Sequence, residues 1–227
     1  MLNYKDKAAL LDHLLSFITS NKKQKFEDYI QYRTRYLTVV LEDIFLPHNA
    51  SAVLRTCDCF GVQDIHIIEN KNKYNLNPDV VLGASKWINL IKHNQEKHNT
   101  VSCIQSLKKQ GYKIVAMTPH RDEILLDKLP LDQKTALMFG TELDGLTDVA
   151  LGQADTFVKI PMYGFTESLN LSVSAAITLF HLTEKLKKSE FEWRLSKEES
   201  IDTKLLWASS VVKKADLIIQ AFLDEMT

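Results

Sequence analysis

The chain has 227 residues, 45% of them apolar and 25% charged, which suits one sizeable domain, or a core domain with a small appendage, around an ordinary buried core. No run of about 18 apolar residues occurs, so a membrane-spanning helix is not expected, and the first residues lack the basic-then-apolar layout of a secretory signal. A net charge of −1 argues against gripping nucleic acid over the whole surface, and three cysteines, an odd count, point to a reduced, cytoplasmic chain without disulfides.

Residues 5–19 carry Leu10, Leu14 and Phe17 beside Leu11, Leu15 and Ile18, a spacing that predicts an amphipathic helix. A second, more charged helix is predicted over 23–33. Residues 1–40 hold seven Lys/Arg against four Asp/Glu, with the excess at Lys22, Lys23, Lys25, Arg33 and Arg35. Such a patch either positions a phosphate backbone or is a solvated helix face. Strands are predicted at Tyr36–Leu41, Asp64–Ile68, Ile88–Ile91, Lys113–Met117, Lys134–Phe139 and Thr156–Ile160. Helices are predicted between them over about 49–60, 100–110 and 147–153, and a long one over 168–187. That alternation implies an α/β domain with a mostly parallel sheet flanked by helices. Ile201, Leu205, Ala208, Val212, Ala215, Ile219 and Phe222 recur at four–three spacing, which reads as one long helix packed along a narrow seam. The expected organisation is a helical segment over 1–35, an α/β domain over 36–188 and a helical segment over 189–227.

Several chemistries lack their signatures. There is no G-x-G-x-x-G, no phosphate-binding G-x-x-x-x-G-K-[ST], and the seven histidines form no spaced ligand set with cysteine, so no metal is expected. Three polar clusters stand out instead. The first, from Pro47 to Gly61, follows a strand and opens a helix whose buried face is Val53, Cys57 and Phe60, with Asn49 suited to cap it and Gly61 to end it. Arg55 lies about 9 Å of helix rise beyond Asn49; the bland alternative pairs it with Asp58. The second, Leu137 to Leu146, runs an apolar strand into a turn bounded by Gly140 and Gly145 that holds Glu142. Strand ends in α/β sheets are where ligands bind, although a plain strand–turn–helix connection fits as well. In the third, Ile160 to Ser174, Ser168, Asn170, Ser172 and Ser174 exceed what one helix cap requires and suit a polar or anionic ligand. Val173, Ile177 and Phe180 are expected to bury the helix that follows.

In this order the clusters resemble the three motifs of the SpoU branch of the SPOUT methyltransferases: N-x-x-x-x-x-R at 49–55, F-G-x-E-x-x-G at 139–145 and I-P-M-x-G-x-x-x-S-L-N-x-S-x-S at 160–174. Gly83-Ala84-Ser85-Lys86-Trp87 and the helical ends are similar to the TrmH subgroup. The resemblance implies a deep trefoil knot at the C-terminal end of the domain and a homodimer with active sites at the subunit interface. It also implies S-adenosylmethionine held by loops containing Thr118-Pro119, Gly140, Ile160, Met162 and Leu169, and transfer of a methyl group to an RNA ribose 2′-hydroxyl. Under it, Arg55 serves the reaction as a general base or as an electrostatic stabiliser, Asn49 orients it, and Glu142, Ser168 and Asn170 order the loops. The subgroup's substrate is the D-loop guanosine of tRNA, held in part by the basic residues above. Relatives with the same motifs act on ribosomal RNA or the anticodon loop, and a non-catalytic RNA-binding protein of the same fold is the alternative from another class. DNA and membranes are not expected partners.

Overall fold

The structure, a computed structural model, describes residues 2–75, 77–118 and 124–225. The strands in chain order are β1 (Leu37–Glu42), β2 (Asp64–Ile68), β3 (Asn89–His93), β4 (Lys113–Met117), β5 (Ile124–Leu125), β6 (Thr135–Phe139) and β7 (Thr156–Lys159). The helices are α1 (Tyr4–Leu15), α2 (Ser20–Ile30), α3 (Pro47–Cys59), α4 (Pro78–Val81), α5 (Asn99–Lys109), α6 (Asp148–Gln153), α7 (Leu171–Lys187), α8 (Lys197–Val211) and α9 (Ala215–Glu225). They divide between two compact units, residues 34–193 and residues 1–33 with 194–227.

In the larger unit the strands form one sheet of order β3-β2-β1-β6-β4-β7-β5, and every pairing is parallel. Parallel sheets need both faces covered, so their strands are apolar on both sides. In β1, Leu37, Val39 and Leu41 enter the core beneath α3 and α7, while Val40 faces the opposite core with Ile104 and Leu107 of α5. The strands follow the sequence expectation to within one or two residues. The two-residue β5 carries no alternation to detect and was not expected.

Three local expectations are corrected. Asn49 does not cap α3: the helix begins at Pro47 behind Leu46, since proline suits the first helical position, and Asn49 falls inside the first turn with its side chain available elsewhere. Gly61 does follow the helix end, at φ 79°. Val173, Ile177 and Phe180 do not bury α7; they are 44, 39 and 59% exposed, and the inward face is Leu171, Ala175, Leu179, Leu182 and Leu186. Both stripes repeat at helical spacing, and leucines outweigh the first in apolar area. Finally, the long C-terminal seam is two helices rather than one, broken at Lys214, whose φ is 58°. Val212 and Ala215 stay buried at the break, so the inward spacing survives it.

In the smaller unit, capping boxes start α1 (Asn3 with Asp6) and α8 (Ser196 with Glu199). Leu10, Leu11 and Leu14 of α1 pack with α8, whose Trp207 is 2% exposed and meets the Phe26 ring edge-on at 5.3 Å. The Arg33 guanidinium lies 5.2 Å from the centre of the Trp207 ring. Lys7 pairs with Asp202 at 2.8 Å, and Lys204 with Glu27 at 2.9 Å. No helix among the described residues is long and apolar enough to cross a membrane. Trp207→Ala should cost about 3–5 kcal/mol of stability, read as a lower urea midpoint by circular dichroism.

Candidate functional site

The carboxyl ends of β4, β6 and β7 border a cleft of about 710 Å³. Its apolar walls include Met117, Leu146, Val158, Ile160 and Leu169, and polar and charged residues such as Thr118, Glu142, Asp144, Lys159 and Ser168 line the rest. The volume and character are those of a small-molecule site at the mouth of a parallel sheet. Thr118, Gly140, Ile160, Met162 and Leu169, the five residues expected to hold a cofactor, all line it, as do Glu142 and Ser168. Pro119, expected beside Thr118, lies outside the described residues.

One side of the cleft is the turn after β6. Thr141 and Gly145 exchange backbone hydrogen bonds of 3.0 and 3.1 Å, and the Asp144 N–H donates to the Thr141 hydroxyl at 3.0 Å. Gly145 takes φ 69°. The sequence reading gave Gly140 to ligand approach, but the closest demand comes from the turn itself. A Cβ there would lie 2.1 Å from the Gly145 carbonyl carbon and oxygen, so only glycine lets the turn close. Buried Leu146 anchors the far end of the turn, leaving Leu143, 96% exposed, at its tip.

Glu142 leaves this turn to accept a hydrogen bond from the Asn49 side-chain N–H. Asn49 in turn accepts from Asn170 Nδ2 at 3.2 Å. Asn170 caps α7, its Oδ1 accepting from the Ser172 N–H at 2.9 Å and the Ser172 hydroxyl at 2.6 Å. All three sequence clusters thus meet in one chain of polar contacts, with Asn49, 5% exposed, at its centre. Ser172, noted in sequence only as a surplus polar residue, belongs to this chain. The loop entering α3 is fixed by Asp43, which adopts φ 52°; its carboxylate accepts from the backbone N–H groups of Asn70 and Lys71 at 2.7 and 2.8 Å. Short carboxylate side chains tolerate that left-handed conformation when held locally.

Arg55 stands apart from the chain of contacts. It is on the exposed side of α3, is not among the residues of the cleft wall, and makes no hydrogen bond or ion pair among the described residues, so the pairing with Asp58 does not form. The same surface holds the exposed stripe of α7, with the Phe180 ring 6.0 Å from that of Phe60. Two of the five basic residues expected at a phosphate patch are committed to the interior. Arg33 is 6% exposed under Trp207, and Arg35 pairs with Asp64 at 2.9 Å, because their aliphatic stems pack better than they solvate. Lys22 and Lys23 on α2 are half-buried and Lys25 is exposed.

Residues 36–180 match the model of the SpoU rRNA Methylase family. The chain is 47% identical over 205 residues to a tRNA (guanosine(18)-2′-O)-methyltransferase of Borreliella burgdorferi, covering 90% of this chain and 92% of the relative. It is 33% identical over 171 residues to the enzyme of that name from Thermus thermophilus, covering 75 and 86%. A solved TrmH/SpoU tRNA modifying enzyme from A. aeolicus superposes with a TM-score of 0.75 at 27% identity, covering 86% of this chain and 98% of that one.

If Asn49 couples the loops, its substitution and that of Glu142 cannot be additive. A double-mutant cycle of Asn49→Ala and Glu142→Ala should give a coupling of about 0.5–3 kcal/mol in urea unfolding, whereas additive effects would mean the contact carries no energy.

Proposed function

This chain belongs to the SpoU rRNA Methylase family, and on that premise we propose that it is an S-adenosylmethionine-dependent methyltransferase acting on the ribose 2′-hydroxyl of the D-loop guanosine at position 18 of tRNA. The observation that carries the proposal is the meeting of three motif segments at Asn49 beside a cleft at the carboxyl ends of the strands. It is supported by relatives that carry this activity in their names and cover 90 and 75% of the chain.

The cleft fits the cofactor on its own terms. Its volume suits a nucleoside-sized ligand, its walls are apolar and polar in about equal parts, and the glycine-closed turn leaves backbone groups at its rim. Backbone near Gly140, Ile160 and Leu169 would hold the adenine and amino-acid ends, with Met162 and Leu169 as apolar wall. When bound, S-adenosylmethionine supplies a methyl group made electrophilic by its sulfonium. Glu142, Asn49 and Asn170 fix the loops that shape the cleft, and Ser168 lies on its rim. Arg55 offers only hydrogen-bond donors, so its part is to stabilise negative charge developing on the ribose oxygen or to hold a flanking phosphate. Asn49, turned towards Glu142 and Asn170, shapes the start of the helix that presents Arg55.

The proposal extends to a homodimer. Val173, Ile177, Phe180, Phe45 and Leu46 are exposed apolar side chains, and Arg55 shares the α3–α7 surface with this stripe. A self-complementary apolar face is what a two-fold pair buries, and pairing there would let Arg55 of one chain serve the cleft of the other. It extends also to a deep trefoil knot. β5 precedes β7 in the chain yet pairs along its outer edge, a strand placement that supports this reading. Domain limits of 1–35, 36–188 and 189–227, a cytoplasmic location in which the three free thiols stay reduced, and phosphate contacts by Lys22, Lys23 and Lys25 complete it.

Arg55→Ala should lower methyl transfer to tRNA by about 10² or more while calorimetric cofactor binding persists; near-normal transfer would remove Arg55 from the reaction. A tRNA with 2′-deoxyguanosine at position 18 should accept no methyl group, and full acceptance would reject the substrate. Phe180→Glu should convert a dimer to a monomer in sedimentation and abolish turnover with the fold retained by circular dichroism.

A further inference from the structure

At the β3 edge of the sheet, away from the cleft, two histidines and a cysteine converge. His66 of β2 lies opposite Ile91, and His93 of β3 opposite Ile68, so the two rings sit diagonally on one face. Helix α5 lays Cys103 over that face. The rings stack with centroids 5.3 Å apart, His66 Nδ1 is 3.0 Å from His93 Nε2, and ligand atoms of all three residues lie within 4.8 Å of one another. We propose that His66, His93 and Cys103 form a binding site for a single thiophilic divalent ion, zinc, which ties β2, β3 and α5 together.

The donor set fixes the class of ion. Imidazole and thiolate suit zinc, whereas magnesium and calcium require oxygen ligands that this cluster does not supply. Two nitrogens held about 2.0–2.1 Å from a tetrahedral ion are roughly 3.3 Å apart, close to the separation the two rings already have. His66 is 5% exposed, Cys103 is fully buried and His93 is half-buried, which leaves an entry from its side. Burial and the neighbouring ring push the His66 imidazole down to about 4, and burial lowers His93, so both rings are in the neutral form that binds metal. Burial and the Glu42 charge push the Cys103 thiol up to about 12, so an entering ion displaces its proton.

Glu42 is the second observation. It is 1% exposed, and its carboxylate accepts from the Thr100 hydroxyl at 2.6 Å, the Thr147 N–H at 2.9 Å and the Thr147 hydroxyl at 2.8 Å. All three donors are neutral, and no lysine or arginine among the described residues pairs with it. A buried carboxylate without a cation is costly, and a divalent ion in the adjacent cluster would compensate it. The two histidines are 27 residues apart and the three ligands join two strands to a helix, without the short paired spacings typical of zinc motifs, which is why the sequence suggested no metal.

The test uses the full chain stripped with a chelator. Calorimetric titration with zinc should give about one ion per chain, and cobalt should produce a thiolate charge-transfer band in the near ultraviolet. A hundredfold excess over the dissociation constant should raise the melting temperature by roughly 5–10 °C; magnesium should do nothing. The band should vanish in Cys103→Ser and in His93→Ala and persist in Cys59→Ser. Absence of stoichiometric zinc binding by the unsubstituted chain would overturn the proposal without reference to any variant, as would a cobalt band that survives Cys103→Ser in a variant with the circular dichroism of the parent chain.

Discussion

The Asn49 amide has two donor hydrogens and one carbonyl oxygen, and at 5% exposure it must find its partners within the protein. It finds them in segments 93 and 121 residues away, donating to Glu142 and accepting from Asn170. A hydrogen bond to a charged acceptor is worth about 1.5–3 kcal/mol, and a buried donor left without one costs a comparable amount. The first turn of α3, the glycine turn after β6 and the cap of α7 are therefore not independent loops. Moving one exposes an unsatisfied polar group in the others, and the cleft wall keeps its shape because its edges are tied at a point behind it.

The parallel sheet makes such a tie necessary. With both faces buried, as in β1, the strands offer no freedom for a site along their length. The only backbone free to vary lies beyond their ends, where loops are mobile unless anchored. Two devices anchor them here. Leu146 holds the far end of the glycine turn by burial, and Asp43 spends a left-handed residue to gather three backbone amides of the 70–72 segment. Each converts a local backbone cost into a fixed exit direction, and the site residues inherit their positions from those directions.

Most of the sheet was legible in the sequence because apolar runs bounded by turn residues have no other stable placement in an α/β domain. The cleft residues were legible by the order and spacing of their motifs. What was illegible follows a pattern. Periodicity reports that α7 has apolar stripes, but Val173, Ile177 and Phe180 repeat at the same spacing as the leucines, and only packing decides which stripe faces the sheet. Arg33 and Arg35 read as surface charge because sequence cannot show that Trp207 and Asp64 would claim them. The bend at Lys214 leaves the inward spacing intact and so leaves no trace in it.

Glu42 shows how far a site can extend beyond its motifs. It ends β1, five residues before the helix that carries Asn49, and its carboxylate holds both the N–H and the hydroxyl of Thr147. Thr147 closes the cofactor-side segment after Leu146 and caps α6 by accepting from the Ala150 N–H. The same carboxylate accepts from Thr100 in the first turn of α5, the helix that carries Cys103. Its charge therefore acts in two directions on one face of the sheet: it sets where the 139–146 turn rejoins the fold, and it sets the electrostatic setting of the histidine–cysteine cluster. A neutral isostere at position 42 would keep the shape of these contacts but remove the field they share, so the turn after β6 and the histidine–cysteine cluster are joined by one buried charge rather than by a run of contacts.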